Sequence, residues 1–225
     1  MTYMRVVFLL VIGVAGTGVL LWLGFWQVQR LDWKESVLAE IEARISDAPV
    51  AVPAAPDEAR DRYLAVEAAG ELAEEELHVL VSAKGFGAGY RVIRALDLGD
   101  RRVLVDLGLI RTEDKGVARP GGPVGVRGNL HWPEEVDSFT PENDVAGNIW
   151  FAREVPVMAA ALGTDPVMII AAEVTPPVPG VTAFPVDTSG IPNDHLGYAV
   201  TWFGLAAVWL SMTALFLYRG RRTSA

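Results

Sequence analysis

Three histidines, His78, His131 and His195, are the only side chains in this 225-residue chain whose ordinary pKa lies near neutrality, and cysteine is absent. The missing cysteine excludes thiol catalysis, disulfide scaffolds, Cys-ligated zinc and iron–sulfur clusters. Three histidines are too few for most all-histidine metal sites. No GxSxG, HExxH or SxxK motif occurs, so hydrolytic chemistry has no visible machinery. The paired carboxylates Glu74–Glu76 and Glu134-Glu135 read as solvated turn charges. KGFGAG at Lys84–Gly89 has the composition of a phosphate loop, but it lies between two strand patterns and reads as a hairpin turn. By strand alternation His78 falls on a polar face and reads as a surface residue. His131, just before Trp132-Pro133 at a strand end, reads as a loop-packing residue.

His195 is placed differently. It stands at the mouth of an apolar run, and three-and-four spacing from it gives Tyr198, Trp202, Leu205 and Trp209 on one helical face. An imidazole can ligate iron, and a stripe of flat side chains can cover a macrocycle or its tail, which is what an amphipathic, lipid-soluble cofactor needs. The same residues also suit an interfacial histidine above ordinary helix-packing side chains, and spacing alone leaves both readings open. Gly24, Gly197 and Gly204 would allow two helices to approach closely.

The elements that carry these residues follow from the hydropathy. Mean hydropathy is +0.29, and the apolar residues are concentrated at the two ends. Val6–Gln29 contains no ionised side chain, and Leu196–Tyr218 is bounded by His195 and the arginines Arg219, Arg221 and Arg222. About 20 apolar residues cross a bilayer core, so both runs qualify as transmembrane helices, 6–29 and 196–218. Trp22, Trp26, Tyr198 and Trp202 suit an aromatic belt. The first run is too long for a cleaved signal peptide and has no small-residue cleavage site, so it is expected to remain as an anchor.

All 28 acidic residues lie between Asp32 and Asp194 with 14 of the 19 basic ones, giving that segment a net charge of −14. Basic residues flanking the outer ends of both runs put the two termini in the cytoplasm, with 219–225 as a basic tail, and export the acidic middle. Five residues before the first run leave no room for a transit peptide, so a bacterial inner membrane is expected. With a net charge of −9 and a pI near 4.8, nucleic acid is not a partner, whereas the lipid bilayer is.

After the first run, helical spacing of Trp33, Val37, Leu38 and Ile41 predicts a membrane-proximal amphipathic helix over 30–47, ended by the proline-rich Ala48–Pro56. Period-two patterns predict strands at Tyr63–Ala69, Leu77–Ala83, Tyr90–Leu98, Arg102–Ile110, Val124–His131 and Val167–Val174. Leu98-Gly99-Asp100-Arg101 is a hairpin candidate, and Glu154–Leu162 a short helix. The expected fold is thus a membrane protein with two transmembrane helices flanking an extracytoplasmic α+β domain (57–190) dominated by antiparallel sheet. Parallel βαβ units are not expected, because the connections are too short for crossover helices.

These residues also form phrases. GFWQVQRLDWKESVLAEIEAR (Gly24–Arg44) and IPNDHLGYAVTWFGLA (Ile191–Ala206) resemble the two signature ends of the surfeit locus protein 1 (Shy-type) family of cytochrome c oxidase assembly factors. GYRVIRALDLGDRRVLVDLGLIR (Gly89–Arg111) resembles the family's central strand pair, and Phe139–Gly163 its later block. Two departures stand out. Asp106-Leu107-Gly108-Leu109 keeps only the glycine of a usual "NRGW" phrase, and Asp194 replaces a second asparagine before His195.

The resemblance implies a non-enzymatic assembly factor for haem-copper terminal oxidases. It would bind haem a transiently and assist its insertion into oxidase subunit I, with haem a synthase as a further partner. It also implies His195 as the iron ligand, beside which Tyr198, Trp202, Trp22 and Trp26 are candidate pocket walls. A structural scaffold that docks oxidase subunits without touching haem is the alternative. An extracytoplasmic sensor or enzyme is disfavoured, since no catalytic constellation and no output domain is found.

Overall fold

The computed structural model describes residues 3–222, and the chain divides into two compact units, one of Met1–Glu40 with Thr188–Ala225 and one of Ile41–Asp187.

The first unit is a helix pair. Helix α1 (Tyr3–Ile45) runs unbroken from the apolar stretch into the amphipathic one, and helix α4 (His195–Arg222) carries the second apolar run. Each contains a window of high hydropathy of which only 6% is buried, whereas the core helix of a soluble protein of this length would be mostly covered. Lipid tails supply no hydrophobic drive for helix association, so close backbone approach at small residues has to supply it. Three glycines of α1 provide that approach. A Cβ on Gly13 would stand 2.2 Å from Thr213, one on Gly16 2.5 Å from the Trp209 indole, and one on Gly24 2.6 Å from the Phe203 ring.

The contact numbers fall along α4 as they rise along α1, so the pair is antiparallel. Ala199 and Ala206 are buried on the same seam, and Phe25 meets Phe203 edge-on with ring centroids 5.4 Å apart. The expectation that Gly24 admits a neighbour holds, but Gly197 and Gly204 face open space. They lie on the side of α4 away from the seam, which periodicity alone did not identify. The hydroxyls of Thr17, Thr201, Ser211 and Thr213 donate to carbonyls four residues back at 2.7–2.9 Å, which satisfies them without water.

The second unit is a closed barrel. Strands β2 (Ala65–Ala83), β3 (Gly87–Asp97) and β4 (Arg102–Arg111) follow one another through tight turns. Strand β5 (Gly122–Leu130) returns beside the first half of β2, and β6 (Met168–Thr175) lies between β4 and β5. The result is a Greek key without a free edge in its main ring. A two-residue strand β1 (Val50–Ala51) and a one-turn helix α2 (Glu58–Asp61), capped by the Asp57 side chain, precede it. Helix α3 (Val155–Leu162) packs on the outside.

Antiparallel pairing dominates, as expected, but β1–β2 and β4–β6 are parallel. The β4–β6 pair is possible because β5 and α3 lie between those strands in sequence, giving a connection long enough to return in the same direction. The two strand patterns Tyr63–Ala69 and Leu77–Ala83 are one 19-residue strand with an irregularity between Leu72 and Glu76. That bend lets its first half pair with β5 and its second with β3.

Strands β3 and β4 are buried on both faces, which explains their nearly unbroken apolar sequence. Tyr90, Val92, Leu96, Val103, Val105 and Leu107 fill one core, while Ile93, Ala95 and Leu104 pack with Trp150, Met158 and Leu162 in another. At Leu107-Gly108 the β3–β4 register shifts, and Gly108 takes φ +119°. A segment after β6 crosses there, Leu109 and Thr182 exchanging backbone hydrogen bonds of 2.7 and 2.8 Å.

A Cβ on Gly108 would lie 2.2 Å from the Thr182 carbonyl oxygen. Gly108→Ala combines a left-handed backbone with that clash, and it should lower stability by about 2–4 kcal/mol. Denaturant unfolding of the detergent-purified chain, followed by tryptophan fluorescence, checks this; an unchanged midpoint would show that the crossing segment yields freely.

Candidate functional site

The register set by the glycines brings two polar side chains together at one end of the helix pair. Gln27 follows Gly24 by one turn on the seam of α1 and is buried. His195 opens α4, whose first turn begins with the Tyr198 amide donating to the Asp194 carbonyl at 3.2 Å. His195 Nδ1 lies 2.8 Å from Gln27 Oε1. An amide oxygen can only accept, so Nδ1 is the donor in this pair, and in the neutral ring Nε2 then keeps its lone pair. Metal-binding histidines are commonly oriented in this way, one nitrogen anchored by a protein acceptor and the other left as the ligand.

The predicted aromatic residues are not gathered into a closed pocket. Trp202 is half-buried two turns along α4 on the His195 side. Tyr198, Trp22 and Trp26 are 57%, 65% and 43% exposed and form the outer surface of the helices. Trp209 covers Gly16, and so is engaged in helix packing. At 1.5 Å rise per residue, Tyr198 and Trp202 are displaced from His195 along α4 by roughly 4–5 and 10–11 Å. Any flat ligand held here would therefore be open to lipid on one side. Among the described residues no group of three or more His, Asp or Glu side chains could hold a bare metal ion. Sequence reasoning missed Gln27; the signal was an uncharged polar side chain near the end of an otherwise apolar run, at the end of the span that an antiparallel partner helix brings beside His195.

The barrel holds two buried ionic clusters. Asp106, fully buried on β4, accepts from Arg91 Nε at 2.6 Å and Arg153 Nη1 at 3.1 Å, and its second oxygen accepts from the Gly108 amide at 3.2 Å. Arg153 also binds Glu135, while Arg91 donates to the Phe184 carbonyl at 3.1 Å and lies over the Phe184 ring. One carboxylate thus ties two strands, the loop before α3 and the crossing segment together. In the second cluster Glu76 Oε1 accepts from Arg119 Nη1 at 2.9 Å and meets His78 Nε2 at 2.8 Å. Arg94, fully buried opposite Glu76, donates to the Arg119 carbonyl at 3.1 Å.

Here two sequence expectations fail. His78 is buried rather than on the surface, and Glu76 belongs to the second cluster, while Glu134 and Glu135 are exposed, paired with Arg62 and Arg153. The reason is tertiary. The Arg119 segment lies over the Glu76–His78 face, Arg119 meeting Glu76 and its carbonyl accepting from Arg94, while the Trp150 segment pairs along the edge of β2, its amide donating to the His78 carbonyl at 2.9 Å. Burial disfavours the ionised carboxyls, but His78 and Arg119 hold Glu76, and Arg153 holds Glu135, below the usual carboxylate range. His131 keeps its expected packing role, stacked on Tyr63 with ring centroids 5.2 Å apart. Burial first, then Arg153 and Arg62, push its pKa down to about 4.

Two apolar antiparallel helices joined through a closed five-stranded barrel define a membrane protein with two spanning helices and one inserted domain. The SURF1 family model matches residues 14–207, a range that includes both Gln27 and His195, and the chain belongs to the SURF1 family. Surfeit locus protein 1 of Homo sapiens is 32% identical over 208 residues, covering 80% of this chain and 68% of the human one. The Rattus norvegicus protein of that name is 30% identical over 204 residues, covering 80% of this chain and 66% of the rat one. A SURF1-like protein of Monosiga brevicollis is 31% identical over 204 residues, covering 80% and 77%. The chain thus spans about two thirds of the length of its rat relative.

The His131 shift sets a pH dependence. Its folded pKa of about 4 is below the unfolded value near 6.5, so between those values the unfolded chain binds more protons and stability falls as pH falls. The expected loss is on the order of 2–3 kcal/mol, complete below about pH 4. Urea unfolding at several pH values for the wild type and His131→Gln checks this: the variant should lose less stability between pH 6.5 and 4, and parallel profiles would contradict the assignment.

Proposed function

We propose that this chain is an assembly factor for haem-copper terminal oxidases that holds haem a as cargo at the end of the helix pair and passes it towards oxidase subunit I. The observation that carries this reading is the His195 ring anchored through Nδ1 to Gln27 at the end of an apolar span, which leaves Nε2 outside that contact. Haem supplies an iron that accepts an imidazole nitrogen and a flat apolar macrocycle that favours aromatic, lipid-facing surroundings. His195 Nε2 would bind the iron, and Tyr198, Trp202, Trp26 and Trp22 would lie against the macrocycle or its tail. A single protein ligand and an open side suit a carrier, which has to release what it binds.

Membership of the SURF1 family supports a place in oxidase assembly through the resemblance described above. Residues 6–29 and 196–218 would span a bacterial inner membrane with both termini in the cytoplasm. The acidic domain of residues 57–190 would lie on the other side, where it would meet subunit I and haem a synthase. Arginines flanking the outer ends of the spans support that orientation.

The test is the haem content of detergent-purified protein from a host making haem a. The wild type should carry substoichiometric haem with a Soret band. His195→Ala should lose most of it while far-ultraviolet circular dichroism is unchanged. Equal haem in that variant would remove His195 from the account. Subunit I co-purifying with wild type that shows no Soret band would replace the carrier with a scaffold.

A further inference from the structure

We infer that Gln27 is a positioning residue that fixes His195 as the Nδ1-protonated tautomer and so commits Nε2 as the ligand atom. This rests on the haem-carrier reading but adds a residue and a direction to it. An isolated neutral imidazole in water favours neither nitrogen strongly enough to define a ligand, and the hydrogen bond made by one nitrogen decides what the other can do. Gln27 Oε1, 2.8 Å from Nδ1, makes that choice here. The amide is itself placed by packing. Gln27 is 8% exposed, on the seam one turn from the Gly24–Phe203 contact, so its side chain has little room to withdraw. Among the described residues the two remaining histidines sit in the barrel with partners of their own, His78 with Glu76 and His131 against Tyr63. Neither has a membrane-level amide acceptor.

The arrangement also separates two jobs within one ring. Nδ1 holds α4 to α1, and Nε2 is spared for the cargo. Binding or release of an iron at Nε2 then requires no break in the helix pair. An amide is a weaker acceptor than a carboxylate, so it orients the ring without making it strongly basic, which fits reversible binding.

The experiment begins with the protein alone. Only three histidines exist, so nitrogen-15 histidine labelling with comparison to His195→Ala assigns the His195 resonances in the full chain in detergent. Protonated Nδ1 and bare Nε2 are expected in the wild type; the opposite tautomer overturns the inference without any variant. Titration with ferric protoporphyrin IX haem, followed in the Soret region, then compares variants. Gln27→Leu should lose the fixed tautomer and bind about 10–100-fold more weakly. Gln27→Glu, which keeps an acceptor, should retain both the tautomer and most of the affinity. Gln27→Leu that only melts at lower temperature, with affinity and tautomer unchanged, would reduce Gln27 to helix pairing and overturn the proposal. If His195→Ala binds this haem as well as the wild type, the carrier reading fails, while the nitrogen spectra still judge what Gln27 does to the ring.

Discussion

The site depends on how closely two helix backbones can approach in a medium that gives apolar side chains no reason to associate. Gly13, Gly16 and Gly24 remove the Cβ atoms that would hold α1 and α4 apart, and Thr213, Trp209 and Phe203 occupy the space they leave. Only at that separation can a side chain as short as glutamine reach an imidazole on the opposite helix. A polar pair of this kind contributes about 0.6 kcal/mol on average in membrane helices, up to about 1.7. The hydrogen bond is thus a weak clamp but a specific one, because sliding α4 by one turn would carry His195 away from its only described acceptor and leave a buried amide unsatisfied.

The barrel obeys a different constraint. Its strands close on themselves, so backbone groups are paired around the ring, and the remaining problem is how to hold irregular segments against it. Asp106 does this with charge. It draws Arg91 and Arg153 to one buried point and, through them, holds the Phe184 carbonyl and the exposed Glu135. Removing one partner from such a cluster is costlier than the pair is stabilising, since it strands the others in a low dielectric. Asp106 is also the first residue of the phrase that departs from the pattern the chain otherwise resembles. Its neighbour Gly108 keeps the one feature geometry demands there, an unhindered backbone under Thr182.

Much of this was legible in the residues, and the parts that were not share a cause. The spans, the strand positions and the hairpin at Gly99 follow from local periodicity and turn chemistry, which act over a few residues. His195 was legible as a candidate because a titratable ring at the mouth of an apolar run is expensive and specific. Gln27 was not, because its meaning depends on the register between two helices 168 residues apart. Glycines were read by type rather than by face, so Gly24 was placed correctly while Gly197 and Gly204 were assigned a contact they do not make, and Gly13 and Gly16 were passed over. His78 and Glu76 read as solvent-facing because strand alternation knows nothing of a later segment, here the one carrying Arg119, laid over the same face.

The central claim is the register of the helix pair, and the absence of native cysteine makes it directly measurable. A doubly substituted chain with Gly13→Cys and Thr213→Cys should form an intramolecular disulfide rapidly under mild oxidation in membranes. A mismatched pair, Gly24→Cys with Thr213→Cys, should remain reduced. Equal cross-linking of both pairs, or preference for the mismatched one, would contradict the seam that brings Gln27 to His195.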